Sequence, residues 1–479
     1  MADATTRTRP LVAITVLASC GLLVSLVQTM VVPLLPQFPQ LMSVSPSTAS
    51  WLITANLIAG AVSAPMLGRL GDMYGKRRML LVALGMVGVG SLLGAIAPNI
   101  AVLLAGRVLQ GTAFGVIALG MSLMRDVLPP DRVGSGVGLM SSSLGFGGAI
   151  GLPITGVVAQ FASWRWLFAG AAVFAVVQIL LVRKLVPESS LRGGGRFDMV
   201  GAVGISIALV CLLLGISKGN EWGWTSPLVL GLFVAALVVG LAWGRYELRG
   251  RNPLIDLRVA ARPAVLWTNV ATVMIGFAMF TGFVLATQIL QAPEATGYGF
   301  GLSLIVAGLV LLPMGGSMVV FSQVSATLSR LRGPRTTLVV GTLLLGTGNL
   351  AFATLPANLG LLIAASTTTA VGAALSYSAL PLLIMRAVPE SETAAANSLN
   401  TLMRQLGTSS CTAVATAVTT ASVMTLDGGA VLPSSFAYTT AFVAAGCAGL
   451  VAMVIVFLTP APLASDAQER PADLAPATR

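Results

Sequence analysis

Gly68-Arg-Leu-Gly-Asp72-Met-Tyr-Gly75-Lys76-Arg77-Arg78-Met-Leu80 separates two long apolar runs, near 49–67 and 79–97. Its glycines permit a tight turn and close helix approach. Its bases are costly to place in hydrocarbon. Asp72, set among them, can accept bonds from Arg side chains or from a helix N-terminus. The stretch reads as a short polar hairpin between two helices that cross a bilayer.

The rest of the chain repeats that arrangement. Further apolar runs of spanning length lie near 11–33, 100–122, 133–159, 166–186, 199–217, 227–243, 264–290, 299–321, 336–354, 359–385, 394–423 and 437–458, about fourteen in all. Of the 479 residues, 56% are hydrophobic and 9% charged. A water-soluble surface needs more charge than that. The expected fold is therefore an all-α membrane protein. The run from Leu11 to Val32 is too long for a signal-peptide core and reads as a retained first span.

Charge tests the count. The net charge is +11, which on a soluble chain would suggest nucleic acid. Here the bases alternate with the spans. Of 27 Lys and Arg, all but Lys218, Arg165, Arg107 and Arg404 fall on one side when the connectors are assigned alternately. The positive-inside bias makes that side the cytoplasm, with both termini there, in a multi-pass protein of the cell (inner) membrane. Nucleic acid is not an expected partner. Lys218 is assigned to an outer connector and Arg165 to a span edge.

The chain has no His, and its four Cys (Cys20, Cys211, Cys411, Cys447) sit in apolar runs without metal spacing. No disulfide, metal or cofactor is expected. No nucleophile elbow or phosphate loop appears, so an enzyme is not expected either. The tail 459–479, rich in Pro and Ala, reads as disordered.

A weak repeat divides the chain. Gly68-x-Leu70-x-x-x-x-Gly75-x-Arg77 returns as Ala326-x-Leu328-x-x-x-x-Gly333-x-Arg335, and Ala97-Pro98-Asn99 returns near Leu355-Pro356-Ala357-Asn358. The expected units are a cytoplasmic N-terminus (1–10), a six-helix bundle (11–186), two inserted helices with connectors (187–262), a second six-helix bundle (263–458) and the tail. Related halves mark alternating-access carriers, whose substrate site lies near the midplane between them.

Two further motifs lie inside spans. Leu103-x-x-Gly106-Arg107-x-x-Gln110-Gly111 puts an Arg within span 4, with Gln110 and Gly111 on its face. A buried charge there is either functional or bonded to carbonyls. In span 5, Gly145, Gly147, Gly148, Gly151, Pro153 and Gly156 permit tight helix packing and a bend. Span 13 carries a polar stripe, Asn397, Asn400, Thr401, Arg404 and Thr408, fit for a cavity, a gate or interhelical bonds.

The hairpin loop resembles, almost residue for residue, the signature loop of the major facilitator superfamily, and the fourteen spans resemble its drug:proton antiporters. That resemblance implies two six-helix bundles and a gate at Gly68, Asp72, Gly75, Lys76 and Arg77 that latches the halves on the cytoplasmic side. It links the span 4 Arg to proton coupling. The span 5 glycines resemble the antiporter motif at Gly147, Gly151, Pro153 and Gly156, although Leu152 intervenes where the family places Gly next to Pro. In span 1, Val27 stands where the family often has Asp.

The implied function is secondary active export of small amphipathic compounds, drugs or natural products, coupled to protons. The alternatives are an uncoupled metabolite carrier and, more remotely, a membrane-embedded enzyme. The implied partners are a small-molecule substrate, protons and the lipid bilayer, and a monomer is expected. Proton-coupling candidates are Arg107, Asp126 and Glu294. Substrate-cavity candidates are Gln28, Asn56, Gln110, Asn269, Gln288, Gln291, Asn397, Asn400 and Arg404. No acid stands near a midplane, so neutral or weakly anionic amphipaths suit the spans better than dications.

Overall fold

Backbone N–H and C=O groups in hydrocarbon have no partners but each other, so each apolar run folds as a helix. The computed structural model describes residues 10–35, 37–189, 197–250, 253–354, 358–388, 392–425 and 431–459. The N-terminal spans are α1 (Pro10–Thr29), a short α2 (Phe38–Met42), α3 (Pro46–Tyr74), α4 (Lys76–Ile96), α5 (Ile100–Gly111) continued as α6 (Ala113–Val127), α7 (Pro130–Phe161) and α8 (Arg165–Leu185). Two helices follow, α9 (Met199–Trp222) and α10 (Pro227–Arg249), then a short α11 (Leu257–Ala260).

The C-terminal spans are α12 (Pro263–Gln291), α13 (Leu304–Val310) continued as α14 (Leu312–Arg332), α15 (Pro334–Ala353), α16 (Leu359–Ala387), α17 (Thr393–Ala421) and α18 (Ser435–Leu458). Thirteen spans among the described residues are long and apolar enough to cross a membrane. α17 is as long, but its polar stripe dilutes its apolar character. Many large apolar side chains face outward, among them Val89, Leu92, Val176, Leu180, Val234, Leu237 and Leu241. Such a surface belongs in lipid, and the chain is a multi-pass membrane protein.

Two apolar cores form. One gathers Leu17, Val24, Leu52, Leu84, Val116, Met140 and Phe168 from the first six spans. The other gathers Ile275, Leu285, Met318, Leu345, Ala374 and Phe442 from the last six. The halves meet along two seams, α3 with α17 and α7 with α14 and α16. α9 packs against both α3 and α17, where Ile205, Leu209 and Leu213 meet Ala61 and Leu402. α10 lies along α9 and buries only Val229 and Glu247.

The repeat is visible in the turns. Gly75 (φ 113°) and Gly333 (φ 86°) hold positive φ at matching hairpins, a conformation that disfavours other residues. Asn99 and Asn358 each cap the following helix, accepting from Val102 N (3.1 Å) and Gly360 N (2.7 Å).

The all-α class holds, with one small addition: an antiparallel hairpin, β1 (Val423–Thr425) with β2 (Val431–Pro433), lies between α17 and α18. One expectation changes. Lys218 is not in a connector: α9 runs on to Trp222 and buries its side chain completely. Arg7, Arg9, Arg192, Arg196, Arg251, the Pro356-Ala357 turn and the tail after Thr459 lie outside the described residues.

Candidate functional site

The hairpin loop sits at the arginine-rich end of the bundle, where α3 meets α17. Asp72 is buried in the last turn of α3. Its carboxylate accepts from Ala395 N (2.9 Å) and Ala394 N (3.3 Å), the first turn of α17 in the opposite half. The first amides of a helix lack intrahelical partners and carry partial positive charge, so a carboxylate suits them.

Lys76, fully buried, lies 3.7 Å from Asp72 and 2.7 Å from Asp126 at the end of α6. It also donates to Thr393 Oγ1 (3.0 Å), which shares a hydrogen bond with Ser122 (2.7 Å). Ser189 donates to Asp126 (2.5 Å). Two carboxylates, one ammonium and one helix N-terminus thus balance across the seam. Among the described residues the other half supplies Thr393 and two backbone amides, and these contacts can part while Lys76 keeps Asp126.

Close approach makes this possible. A methyl at Gly68 would collide with the Ser398 hydroxyl and stand 2.9 Å from Ala394 O. Glu188, on the connector after α8, accepts from Arg77 N (2.8 Å) and Arg78 N (3.2 Å) and so caps α4. Arg77 also donates to Arg183 O (2.6 Å). Sequence reasoning missed Glu188, Ser122 and Thr393; they carry no local signal, because their partners are distant in the chain.

Arg107 sits deep in the first half, bonded to Leu52 O (2.9 Å), Val27 O (2.9 Å) and Gln110 Oε1 (2.8 Å). Gln110 donates to Ser91 (2.9 Å), and Asn56 donates to Arg107 O (2.9 Å). These three side chains join helices within one half. Asn400 bonds Asn269 (3.0 Å) and Thr272 (2.7 Å) across α12 and α17.

Arg404 stands 5.3 Å from the centre of the Tyr377 ring. Asn397 is buried with neither amide atom partnered, and Gln28 keeps an unpartnered buried amide nitrogen. The span 5 glycines serve packing both within the first half and across to the second. Gly147 lies against Ser25 and Gly151 against Thr29 of α1, whereas Gly156 lies against Ile305 and Pro153 against Gly308 of α13.

The opposite end holds the remaining candidates. Gln288 accepts from Tyr438 (3.3 Å) and Gln291 donates to Thr287 O (3.1 Å). Glu294 is exposed on a short 3-10 turn, Glu294–Thr296. Nearby, Tyr298 donates to Pro433 O (2.6 Å), and burial raises its phenol above the usual range. Lys218 lies at this end too. It donates to Ser50 Oγ (2.5 Å), Glu221 (2.7 Å) and Ser47 O (3.2 Å) and stands 4.9 Å from the Trp51 ring centre, pinning α9 to α3.

Sequence and fold comparisons agree with this arrangement. The profile of the Major Facilitator Superfamily matches residues 17–412. The chain is 28% identical over 339 residues to the uncharacterized MFS-type transporter YhcA of Bacillus subtilis (strain 168), covering 70% of this chain and 62% of that protein. It is 30% identical over 362 residues to the tetracenomycin C resistance and export protein of Streptomyces glaucescens, covering 74% and 65%. With the lincomycin resistance protein of Streptomyces lincolnensis it shares 28% over 456 residues, 94% and 91%. The chain therefore spans somewhat under two thirds of the first two relatives.

Among solved structures, the human organic anion transporter MFSD10 (TETRAN) superposes with a TM-score of 0.67 at 16% identity, over 94% of this chain and 99% of that one. The proton:xylose symporter XylE gives 0.64 at 14%, over 94% and 96%. At such identities the likeness establishes the fold alone. With the family profile spanning most of its length, the chain belongs to the major facilitator superfamily.

Proposed function

We propose that the chain is a secondary active exporter of small amphipathic compounds, working by alternating access and coupled to protons. The carrying observation is the Asp72 contact with the first amides of α17, which ties the first six spans to the last six at one end. A breakable cross-seam contact of this kind is what a rocking carrier needs. Relatives named for tetracenomycin C export and for lincomycin resistance support the outward direction and the drug or natural-product class.

In this reading the arginine-rich end faces the cytoplasm of a bacterial-type cell membrane. The conformation described is then the one closed to the cytoplasm. The transport units are residues 11–186 and 263–458, with 187–262 inserted, and the carrier acts as a monomer. The compound crosses unchanged.

The proton site is proposed at Asp72 and Asp126, which share Lys76. Parting of the halves would take the Ala394 and Ala395 amides from Asp72 and the Thr393 hydroxyl from Lys76, and so change the surroundings of the shared site. Arg107 has a positioning role, since carbonyls and Gln110 occupy its guanidinium.

The test is accumulation of a panel including lincomycin and puromycin in cells overexpressing the chain, with and without an uncoupler. The expected result is lowered accumulation that the uncoupler abolishes. Equal accumulation with and without the chain, for every compound, would overturn the export reading.

A further inference from the structure

Two arginines stand deep within the spans, and they are not equivalent. Arg107 is saturated by two backbone carbonyls and Gln110. Arg404 is not. The ion pairs among the described residues are Lys76 with Asp72 and Asp126, and Lys218 with Glu221. No carboxylate among them reaches the Arg404 guanidinium, whose neighbour is the Tyr377 ring at 5.3 Å.

Its position is fixed by backbone contact. A methyl at Gly276 of α12 would stand 2.8 Å from Arg404 O, and one at Gly407 would meet the α12 backbone at Val273 O. α17 therefore lies hard against α12. From Ala394 at the latch to Arg404 is ten residues, or about 15 Å of helix, close to half the hydrocarbon thickness.

The surroundings belong to the seam. Tyr377 accepts through its carbonyl from Ser141 Oγ of α7 in the other half (2.9 Å), and its hydroxyl donates to Met279 Sδ (3.3 Å). Two turns along the same stripe, Asn397 has both amide atoms buried and unpartnered. The site thus combines one unneutralised cation, a soft thioether wall and unspent amide donors. An unpaired charge at this depth is costly, and an anion would relieve it.

We infer that Arg404, beside Tyr377 and Met279, is the seat for the anionic group of an amphipathic substrate: a carboxylate, sulfonate or ionised phenol on an apolar ring system. This rests on the carrier reading above and narrows it. Lipophilic cations are disfavoured, since the two mid-depth charges are both positive. Arg404 contributes the charge, the thioether and ring surfaces take the apolar body, and Asn397 offers amide hydrogens toward polar substituents.

The test uses the full-length protein in nanodiscs, with binding read by equilibrium dialysis against empty nanodiscs. The probes are anilinonaphthalene sulfonate, phenylnaphthylamine (the same rings without the sulfonate) and tetraphenylphosphonium. The expected result is saturable binding that favours the sulfonate over both others. Arg404→Gln should weaken sulfonate binding about tenfold or more, the loss expected of one charge-assisted contact, and change phenylnaphthylamine less than about twofold. Arg404→Lys should keep part of the preference, which guards against a folding defect in the Gln variant.

The sulfonate should also raise the melting temperature of the wild type but not of Arg404→Gln. Equal binding of sulfonate and parent by the wild type, or equal weakening of both by Arg404→Gln, would overturn the anion seat. Counterflow in proteoliposomes separates the two readings. Movement of the probes without charge preference leaves the carrier standing and removes the seat. If none of the three probes moves or binds, both readings fall.

Discussion

Asp72 reaches across the seam to Ala395, its carboxylate 2.9 Å from the amide nitrogen in the first turn of α17. A side chain from one half thereby completes the hydrogen bonding of a helix in the other. The contact costs nothing to the helix that donates, whose first amides have no other partner within it. Asp72→Asn keeps one accepting oxygen but loses the charge that the helix end and Lys76 favour. A charge-assisted bond contributes roughly 1.5–3 kcal/mol, so export should fall about tenfold. Spin labels at Tyr74→Cys and Glu392→Cys should show a larger long-distance population. An unchanged distance distribution would refute the latch.

Gly68 sets how close the halves come. Gly68→Ala places a methyl into the Ser398 hydroxyl and against Ala394 O. Overpacking of this sort costs roughly 1–3 kcal/mol, and here it falls on the closed state alone. Export should drop strongly while the melting temperature changes little. Adding Ser398→Ala removes one of the colliding atoms, so partial recovery is expected. Recovery to wild-type flux would mean that the Ala394 backbone is not a barrier.

Lys218 anchors α9 through Ser47, Ser50 and Glu221. Lys218→Met leaves Glu221 without its ion-pair partner and removes two cross-helix bonds. A loss of roughly 3 kcal/mol is expected from breaking a buried pair, less whatever water recovers at the partly exposed Glu221. Thermal unfolding in detergent should report it. Lys218→Met with Glu221→Gln should be more stable than Lys218→Met alone. Additive losses would show that the two residues do not interact.

Arg107 and Gln110 form a coupled pair inside the first half. Arg107→Met strands the Gln110 oxygen, and Gln110→Leu strands one guanidinium hydrogen. The double variant should be more stable than the sum of the single losses by roughly 0.5–3 kcal/mol. A double variant that folds well yet loses only the proton dependence of transport would return Arg107 to the coupling machinery.

Asp126 and Glu294 answer differently to neutralisation. Asp126→Asn takes one carboxylate from Lys76, so export should lose its dependence on the pH gradient. Glu294→Gln changes an exposed group on a turn, and the flux should stay within about twofold of wild type. The opposite ranking, read as gradient-driven efflux from proteoliposomes, would move the proton site to the other end of the bundle.

The helices were legible because hydrocarbon imposes one backbone solution on any apolar run long enough to span it. The hairpin was legible because Gly75 must hold a positive φ and the bases around it must stay at a polar boundary. The partner of Asp72 was not. It is a pair of alanine amides, Ala394 and Ala395, and a helix end leaves no mark on residue type. The burial of Lys218 was equally hidden, since Ser50 lies 168 residues away. Asn56, Gln110, Asn269 and Asn400 share the composition of cavity residues, yet their partners are other helices. Pattern alone cannot separate a polar group facing water from one facing another polar group.

Among the described residues α10 lies along one long neighbour, α9, so in a bilayer most of its circumference would be solvated by acyl chains rather than by protein. Selection on Leu230, Val234, Leu237 and Leu241 then acts through oil solubility and not through shape. These positions should exchange freely among Leu, Ile, Val and Phe over evolutionary time. The facing residues of α9, held at one end by an ammonium and at the other by Leu254 and Ile255, should drift far more slowly. The two helices would then age unevenly, one recording the chemistry of the bilayer and the other that of the protein.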